Sequence, residues 1–176
     1  MLRAAGIECE VYPANISEEP RAGEAPVQYA LRLAREKAEK VARQFSRNFV
    51  LGADTIVVID QENLGKPRDA QDAARMLRLL SGRSHQVTTA VSVIAPGQSP
   101  HTRSDTTQVY FRKVGENEIE QYIAGGEPMD KAGAYAIQGG AAAWIVRVEG
   151  DYSNVVGLPV PLVTQMLRAC GFPGLI

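Results

Sequence analysis

Residues 51–67 read LGADTIVVIDQENLGKP, an aliphatic run that contains one acid, Asp54, and ends in Lys66 and Pro67. The aliphatic side chains predict a buried strand over residues 49–59, followed by a turn. A lone carboxylate that is buried costs several kcal/mol unless another group pairs with it. Asp54 therefore either has a structural partner or lines a cleft, and residues elsewhere in the chain must decide between these interpretations.

The length and composition predict one globular domain over residues 1–176. Hydrophobic residues make up 45% of the chain and charged residues 22%, which provides enough apolar surface for a core and argues against disorder. The net charge of -1 gives no basic surface for duplex nucleic acid, so we expect no such partner. Any anion that the protein handles must instead meet a local cluster of cations.

Cysteine usage and hydropathy predict a cytoplasmic protein without a membrane partner. Cys9 and Cys170 fit neither a zinc motif nor a disulfide framework, so we interpret them as reduced thiols. No apolar run approaches the roughly 18 residues of a membrane span. The opening MLRAAGIECEVYP also lacks the apolar core of a signal peptide.

Apolar periodicity predicts two helices, one on each side of the aliphatic strand. The first covers residues 25–46, where apolar side chains recur every three or four residues. Its predicted inward positions are Val27, Leu31, Ala34, Ala38, Val41 and Phe45. The second, AQDAARMLRLL, follows Asp69 as its N-terminal cap and ends before Gly82. Its predicted inward positions are Ala73, Met76, Leu77 and Leu80.

The remaining segments alternate between strands and helices. Residues 85–95 and 105–112 are rich in β-branched side chains and predict strands with a loop between them. A short helix in GENEIEQYIAGG, a strand in AAAWIVRVEGDY and a closing helix in VPLVTQMLRAC complete the pattern. This interleaving is typical of the α/β class, and the order of elements leaves open whether the sheet is parallel or mixed.

Small residues surround two polar side chains in GEPMDKAGAYAIQGG, residues 126–140. Lys131 lies among glycines and alanines, which let a ligand approach the backbone, and an ammonium group suits a phosphate oxygen. Gln138 follows at a turn. Residue statistics alone slightly favour the alternative, a glycine-rich loop with a solvated lysine.

Arg83 and His85 lie in LSGRSHQ, between a helix end and a strand. Arg83 is either a clamp for an anion or a residue that complements the C-terminal dipole of the helix. His85 is either a proton carrier or, as is more common at the start of a strand, a hydrogen-bonded structural residue. The residue types do not decide between these roles.

Carboxylates also collect ahead of the first helix. Glu18 and Glu19, together with Asp54, offer oxygens to Mg²⁺, which takes few protein ligands beside water and substrate phosphate. A solvated turn explains the glutamates equally well. Lys37 borders the apolar face of the first helix, where its alternative role is to pack its methylenes on the surface. Carboxylates and several cations at element ends together indicate a metal-assisted site for a phosphorylated ligand.

Five segments together resemble the Maf family of nucleoside triphosphate pyrophosphatases. They are, in order, GADTIVV, LGKP, AARMLRLLSGRSHQV, EPMDKAGAYAIQG and GDYSNVVGLPV. The resemblance runs from near Arg3 to the closing helix. It implies a two-lobed α/β fold, similar to that of inosine triphosphate pyrophosphatases, with a twisted mixed sheet, flanking helices and the nucleotide in a central cleft. Homodimers are common in such families, so a second copy of the chain is an expected partner.

The resemblance assigns chemical roles to individual residues. Asp54 in GADT matches the family's proposed catalytic acid, a general base or metal ligand. Lys66 in LGKP, Lys131 in DKAGAY and Lys37 in AREKA match its phosphate-binding lysines. Glu18 falls where the family carries a metal-binding acid. The implied cofactor is a divalent cation at Glu18 and Asp54, Mg²⁺ with Mn²⁺ as the alternative.

Two further positions separate branches of the family. Thr55 and Gln138 match the branch that acts on dTTP and UTP, which implies a pyrimidine nucleoside triphosphate as the substrate. The implied reaction releases a nucleoside monophosphate and pyrophosphate. A preference for 7-methyl-GTP is the alternative within the enzyme class, and Gln138 argues against it.

One motif of the family is not found, the opening strand with its S-x-S-P-R-R loop. The chain starts with MLRAAGIECEV, which resembles the helix that follows that loop. We therefore expect a domain without the first strand and phosphate loop, either because the start codon was assigned too late or because the protein is shortened. The alternative function is a non-catalytic nucleotide-binding or septum-related interaction protein.

Overall fold

The aliphatic stretch around Asp54 forms a strand, β1, in the computed structural model, which describes residues 1–173. The residues 174–176 of the predicted domain lie outside the described part. The helices are α1 Pro26–Ala42, α2 Ala70–Leu80, α3 Glu116–Ala124, α4 Tyr152–Val156 and α5 Val160–Ala169. The strands are β1 Val50–Ile59, β2 Glu62–Leu64, β3 Ser84–Ile94, β4 His101–Phe111 and β5 Ile145–Glu149. Short 3-10 turns lie at Arg3–Ala5, Glu127–Asp130, Ala132–Ala134 and Gly140–Trp144.

The strands form one five-stranded sheet in the order β2-β1-β3-β4-β5. The outer strands β2 and β5 both run antiparallel to their neighbours, with Val58 opposite Asn63 and Val109 opposite Val148. The α/β class with flanking helices is confirmed. The described sheet is antiparallel, whereas the resemblance implied a mixed one.

The described chain divides into two compact units. Unit 1 contains residues 1–55, residues 89–105 and the described residues from Gly157 onward. Unit 2 contains residues 56–88 and 106–156. Each unit has its own apolar core. The core of unit 1 includes Ile7, Val91, Val93, Val163, Met166 and Leu167, and that of unit 2 includes Val57, Leu77, Leu80, Val109, Phe111, Ile119 and Trp144.

Helix α1 packs against β1 in unit 1 through small residues. Ala34 and Ala38 are fully buried, and the backbone of Gly52 in β1 lies directly against them. The predicted inward face of this helix was partly wrong, because Val27 is 38% exposed while Ala30 and Leu33 are buried. Close approach of helix and strand favours alanine over larger apolar residues, so the true face is displaced from the one that the bulky side chains indicated.

Helix α2 confirms its sequence signals. The side chain of Asp69 accepts a hydrogen bond from the backbone N–H of Asp72 at 2.8 Å, which caps the helix. The four predicted inward residues are all buried. The helix ends at Leu80, and Gly82 takes a left-handed φ of 70°, a conformation that glycine adopts at little cost.

Two elements differ from the sequence predictions. Strand β4 begins at His101, so the connection from β3 is shorter than the predicted loop. Strand β2 was missed, since its two-residue turn is formed by Asp60 and Gln61 at φ values of 50° and 66°. Two-residue turns of this kind usually contain glycine. Without a glycine here, the sequence contained no indication of a hairpin between β1 and β2.

His85 lies in the core of unit 2 and has the structural role that was one of its two interpretations. It is 1% exposed, and its Nε2 lies 2.7 Å from the hydroxyl of Tyr135. Its Nδ1 has no hydrogen-bond partner within residues 1–173. Burial lowers the pKa of His85 to about 4. The folded protein therefore holds this imidazole neutral at physiological pH.

Because His85 is buried in its neutral form, acidification should lower the stability of the folded protein. The unfolded chain binds a proton at His85 below pH 6.5 and the folded chain only near pH 4, so the free energy of unfolding should fall by roughly 3 kcal/mol across that window. Urea unfolding of the wild type and of His85→Gln at pH 7, 5.5 and 4.5 measures the effect. The variant should lose less stability than the wild type, and an equal loss in both would contradict the assignment.

Candidate active site

Three charged groups of unit 1 meet at one point. Strand β1 carries Asp54, helix α1 carries Lys37, and the segment ahead of α1 carries Glu18. The ammonium group of Lys37 donates a hydrogen bond to Asp54 Oδ1 at 2.7 Å. It also lies 2.7 Å from Glu18 Oε1. Asp54 thus has a charged partner, which answers how an acid is accommodated within an aliphatic strand.

The cluster of Glu18, Lys37 and Asp54 is only partly shielded from solvent. Their side chains are 44%, 22% and 10% exposed, respectively. Burial by itself would lower the pKa of Lys37, but the hydrogen bonds to Asp54 and Glu18 outweigh it and raise that pKa above its ordinary value. Lys37 is therefore a permanent cation held between two carboxylates, of which that of Glu18 is the more exposed to solvent.

A cavity of about 370 Å³ in unit 1 adjoins this cluster. Glu18 and Lys37 form part of its wall, and residues of β1 form another part. The other lining residues are Tyr12, Ala14, Asn15, Ile16, Val41, Leu51, Gly52 and Ala53. The cavity brings both the acid and the ammonium group into contact with space that a small ligand can enter.

The segment that carries Glu18 is fastened to α1 by hydrogen bonds. The hydroxyl of Tyr29 donates to the backbone carbonyl of Glu18 at 2.6 Å. Arg32 donates to both carboxylate oxygens of Glu24, at 2.6 and 2.7 Å, and to the carbonyl of Glu19 at 3.1 Å. Bidentate pairs of this kind fix geometry as well as charge. They hold the irregular segment where Glu18 reaches Lys37.

Thr55 follows Asp54 and also belongs to unit 1. Its hydroxyl lies 2.9 Å from that of Thr89, which is fully buried, and donates to the carbonyl of Gly157 at 3.5 Å. These bonds tie β1 to β3 and to the chain after α4. The role of Thr55 in reading a substrate stays a prediction.

The predicted phosphate-binding lysines of unit 2 lie on two loops that are joined to each other. The N–H of Gly133 donates to the carbonyl of Gly65 at 3.1 Å, which connects the loop of Lys66 to that of Lys131. Lys131 donates to Asp130 at 2.5 Å. That hydrogen bond lowers the pKa of Asp130, and the charge of Lys66 acts in the same direction. The two lysines therefore act on a common acidic group.

Gln138 and Arg83 occupy different settings in unit 2. Gln138 is exposed in a turn, and its side chain has no hydrogen bond to residues 1–173. Arg83 donates to both oxygens of Asp60, at 2.7 and 2.8 Å. The partner of this guanidinium is therefore Asp60 and not the C-terminus of α2. A ligand would have to compete with Asp60 for Arg83. Its predicted role in substrate binding stays a prediction.

A family model described as Maf-like protein matches residues 1–170. The chain belongs to the Maf family. Two curated relatives named dTTP/UTP pyrophosphatase come from Koribacter versatilis, 50% identical over 97% of this chain and 88% of the relative, and from Citrifermentans bemidjiense, 49% identical over 99% of this chain and 91% of the relative. A third with that name, from Geobacter metallireducens, is 46% identical over 97% and 90%. The resemblance drawn from the sequence is confirmed.

The donor set of this Maf chain fits a divalent cation of the magnesium type. Glu18 and Asp54 already direct oxygens at one cationic group, the ammonium of Lys37. Residues 1–173 contain no group of three or more histidine, cysteine or acidic side chains placed to hold a metal. Mg²⁺ suits such a site, because it takes one or two carboxylates and completes its shell with water and phosphate oxygens. None of the helices within residues 1–173 combines the length and the apolar composition of a membrane span.

Sequence reasoning missed the residues that support the Maf site. Tyr29 and Arg32 contact the Glu18 segment but carry no motif of their own. The spacing of Arg32 and Glu36 in α1 was a visible sign of an ion pair, which forms at 3.3 Å. The stronger partner, Glu24, precedes the helix, so helical spacing could not indicate it.

Proposed function

We propose that this chain is a nucleoside triphosphate pyrophosphatase that converts dTTP and UTP to the monophosphate and pyrophosphate. The observation that carries the proposal is the convergence of Glu18 and Asp54 on Lys37 beside a cavity. The shared name of the three curated relatives supports the choice of substrate. Clustered carboxylates and lysines are the groups that phosphoryl transfer needs for charge stabilisation.

In the proposed reaction, a water oxygen forms a bond to the α-phosphorus. The bond from that phosphorus to the leaving pyrophosphate oxygen breaks, and a proton leaves the water. Asp54, whose carboxylate lies beside the Lys37 ammonium group, orients that water or accepts its proton. Lys37 stabilises the negative charge that develops on pyrophosphate, and the family resemblance is the basis for proposing the same role for Lys66 and Lys131.

A divalent cation, Mg²⁺ or Mn²⁺, is the proposed cofactor, with Glu18 and Asp54 as its protein ligands. When bound, such a cation polarises phosphoryl oxygens and neutralises their charge. The residues of the chain supply the rest. The bonds from Tyr29 and Arg32 keep Glu18 in place, and Lys37 keeps the two carboxylates together before a ligand arrives.

Thr55 and Gln138 are the proposed readers of the pyrimidine edge, and the exposed amide of Gln138 is available for that contact. The names of the three relatives do not favour the 7-methyl-GTP alternative or the non-catalytic alternative. We place the reaction in the cytoplasm, where nucleoside triphosphates and Mg²⁺ are abundant. A homodimer is proposed as the assembly, and size-exclusion chromatography with light scattering tests it.

Turnover of candidate nucleotides in isotope-labelled water tests the proposed function. The purified chain with Mg²⁺ should release equimolar monophosphate and pyrophosphate from dTTP and UTP, faster than from 7-methyl-GTP. Heavy oxygen should enter the monophosphate, because the α-phosphorus is the site of attack. A chelator provides the control. Release of orthophosphate, heavy oxygen in pyrophosphate, or no release above the buffer rate would each reject the proposal.

A further inference from the structure

The turn that presents Gln138 is held on both sides by two side chains, Tyr122 and Glu127. After Gln138, the N–H of Gly140 donates to both carboxylate oxygens of Glu127 at 3.1 Å. Before Gln138, the N–H of Ala136 donates to the hydroxyl of Tyr122 at 3.2 Å. That hydroxyl in turn donates to Glu127 at 2.9 Å. The two side chains and the turn thus form one hydrogen-bonded ring in unit 2.

The carboxylate of Glu127 lies directly against the turn backbone. A Cβ atom at Gly139 would lie 1.6 Å from Glu127 Oε1, far inside van der Waals contact. Position 139 therefore accepts only glycine while Glu127 stays in place. The residue next to Gln138 is thus a glycine, and its lack of a side chain leaves room for the carboxylate of Glu127.

Tyr122 supplies a fixed anchor for this ring. Tyr122 is 9% exposed, and its aromatic ring packs on Trp144 with centroids 4.9 Å apart. Burial and the neighbouring carboxylate raise the pKa of its phenol, so it remains a hydrogen-bond donor. Gln138 itself stays exposed, with no side-chain hydrogen bond to residues 1–173. The backbone is constrained while the amide is left available to a ligand.

We infer that Glu127 and Tyr122 are positioning residues that set the base preference of the enzyme by fixing the orientation of Gln138. The inference rests on the proposed function, in which Gln138 contacts the pyrimidine. Uracil presents a carbonyl oxygen beside a ring N–H, whereas cytosine presents an amino group beside a bare ring nitrogen. An amide has one donor and one acceptor end, and the constrained backbone of the turn limits the positions from which either end reaches the base.

A substitution that breaks the hydrogen bonds to the turn should reduce discrimination between UTP and CTP more than it reduces kcat. In Glu127→Gln the ratio of kcat/KM for UTP to that for CTP should fall about tenfold, the effect of one hydrogen bond. The loss should appear mainly in KM for UTP, because the base is remote from the reacting phosphorus. Tyr122→Phe, which keeps the ring in the core but removes the bond to Ala136, should change the ratio in the same direction.

Glu116→Gln is the matched control, because Glu116 forms an exposed ion pair with Arg78 and does not touch the turn. It should leave the ratio unchanged. In a Gln138→Ala background, Glu127→Gln should cause no further change in the ratio, since it acts through Gln138. A further fall in that background, or an equal fall in kcat/KM for both nucleotides, would overturn the inference.

Equilibrium binding separates this inference from the proposed function. Affinities for α,β-imido analogues of UTP and CTP, which resist cleavage at the bond in question, report base preference without turnover. If the wild type binds the UTP analogue more tightly but releases no pyrophosphate, the proposed function fails and the effect of Glu127→Gln on the ratio of affinities still decides the inference. Equal affinities in wild type and Glu127→Gln for both analogues would reject it.

Discussion

Asp54→Asn is expected to reduce pyrophosphate release from dTTP by about a thousandfold, the scale of a lost general base. The amide keeps the shape of the side chain, so the strand and its packing should be unchanged. It removes the charge that Lys37 now contacts at 2.7 Å and cannot accept a proton from water. Initial rates of pyrophosphate release, with a circular dichroism spectrum of each protein, measure the effect and check the fold.

Asp69→Asn makes the same chemical change at a site without catalytic groups. Asp69 caps α2, and asparagine caps helices about as well as aspartate. This variant should therefore keep nearly full activity. The role assigned to Asp54 would be rejected if Asp54→Asn kept most of the wild-type rate while remaining folded.

The position of Asp54 shows how far sequence reasoning reached. An acid inside an aliphatic run predicted a charged partner or a cleft, and the structure provides a partner, Lys37, beside a cavity. Motif resemblance brought Glu18 to the same point, where it lies 2.7 Å from that lysine. Predictions from local signals, such as the helix cap at Asp69, were also confirmed, because they depend on residues only a few positions apart.

Other contacts between residues far apart in the chain could not be predicted from the sequence. The hydroxyl pair of Thr55 and Thr89 joins residues that are far apart in the chain, and no local sequence pattern indicates that these two side chains meet. Glu127 was noted only as part of a glycine-rich segment, although its carboxylate holds the turn after Gln138. Such pairs follow from strand register and loop paths, which a single sequence does not specify.

Gly52→Ala is expected to give the largest loss of stability among simple substitutions near the site. A Cβ at this position would lie 2.4 Å from the carbonyl oxygen of Ala34 and 2.7 Å from the backbone nitrogen of Ala38. Both are backbone atoms of α1, so no side-chain rotation relieves the clash and the helix must move away from β1. The free energy of unfolding should fall by about 3 kcal/mol, at the upper end for overpacking.

The same displacement should weaken the site, because Lys37 lies between those two alanines and would be drawn away from Asp54. Urea unfolding and thermal melting measure stability, with an expected fall in Tm of about 10 °C. Gly65→Ala is the control, since a Cβ there meets no heavy atom within 4 Å, and it should melt close to the wild type. If Gly52→Ala matched the control, the close approach of α1 and β1 would not be what aligns Lys37 with Asp54.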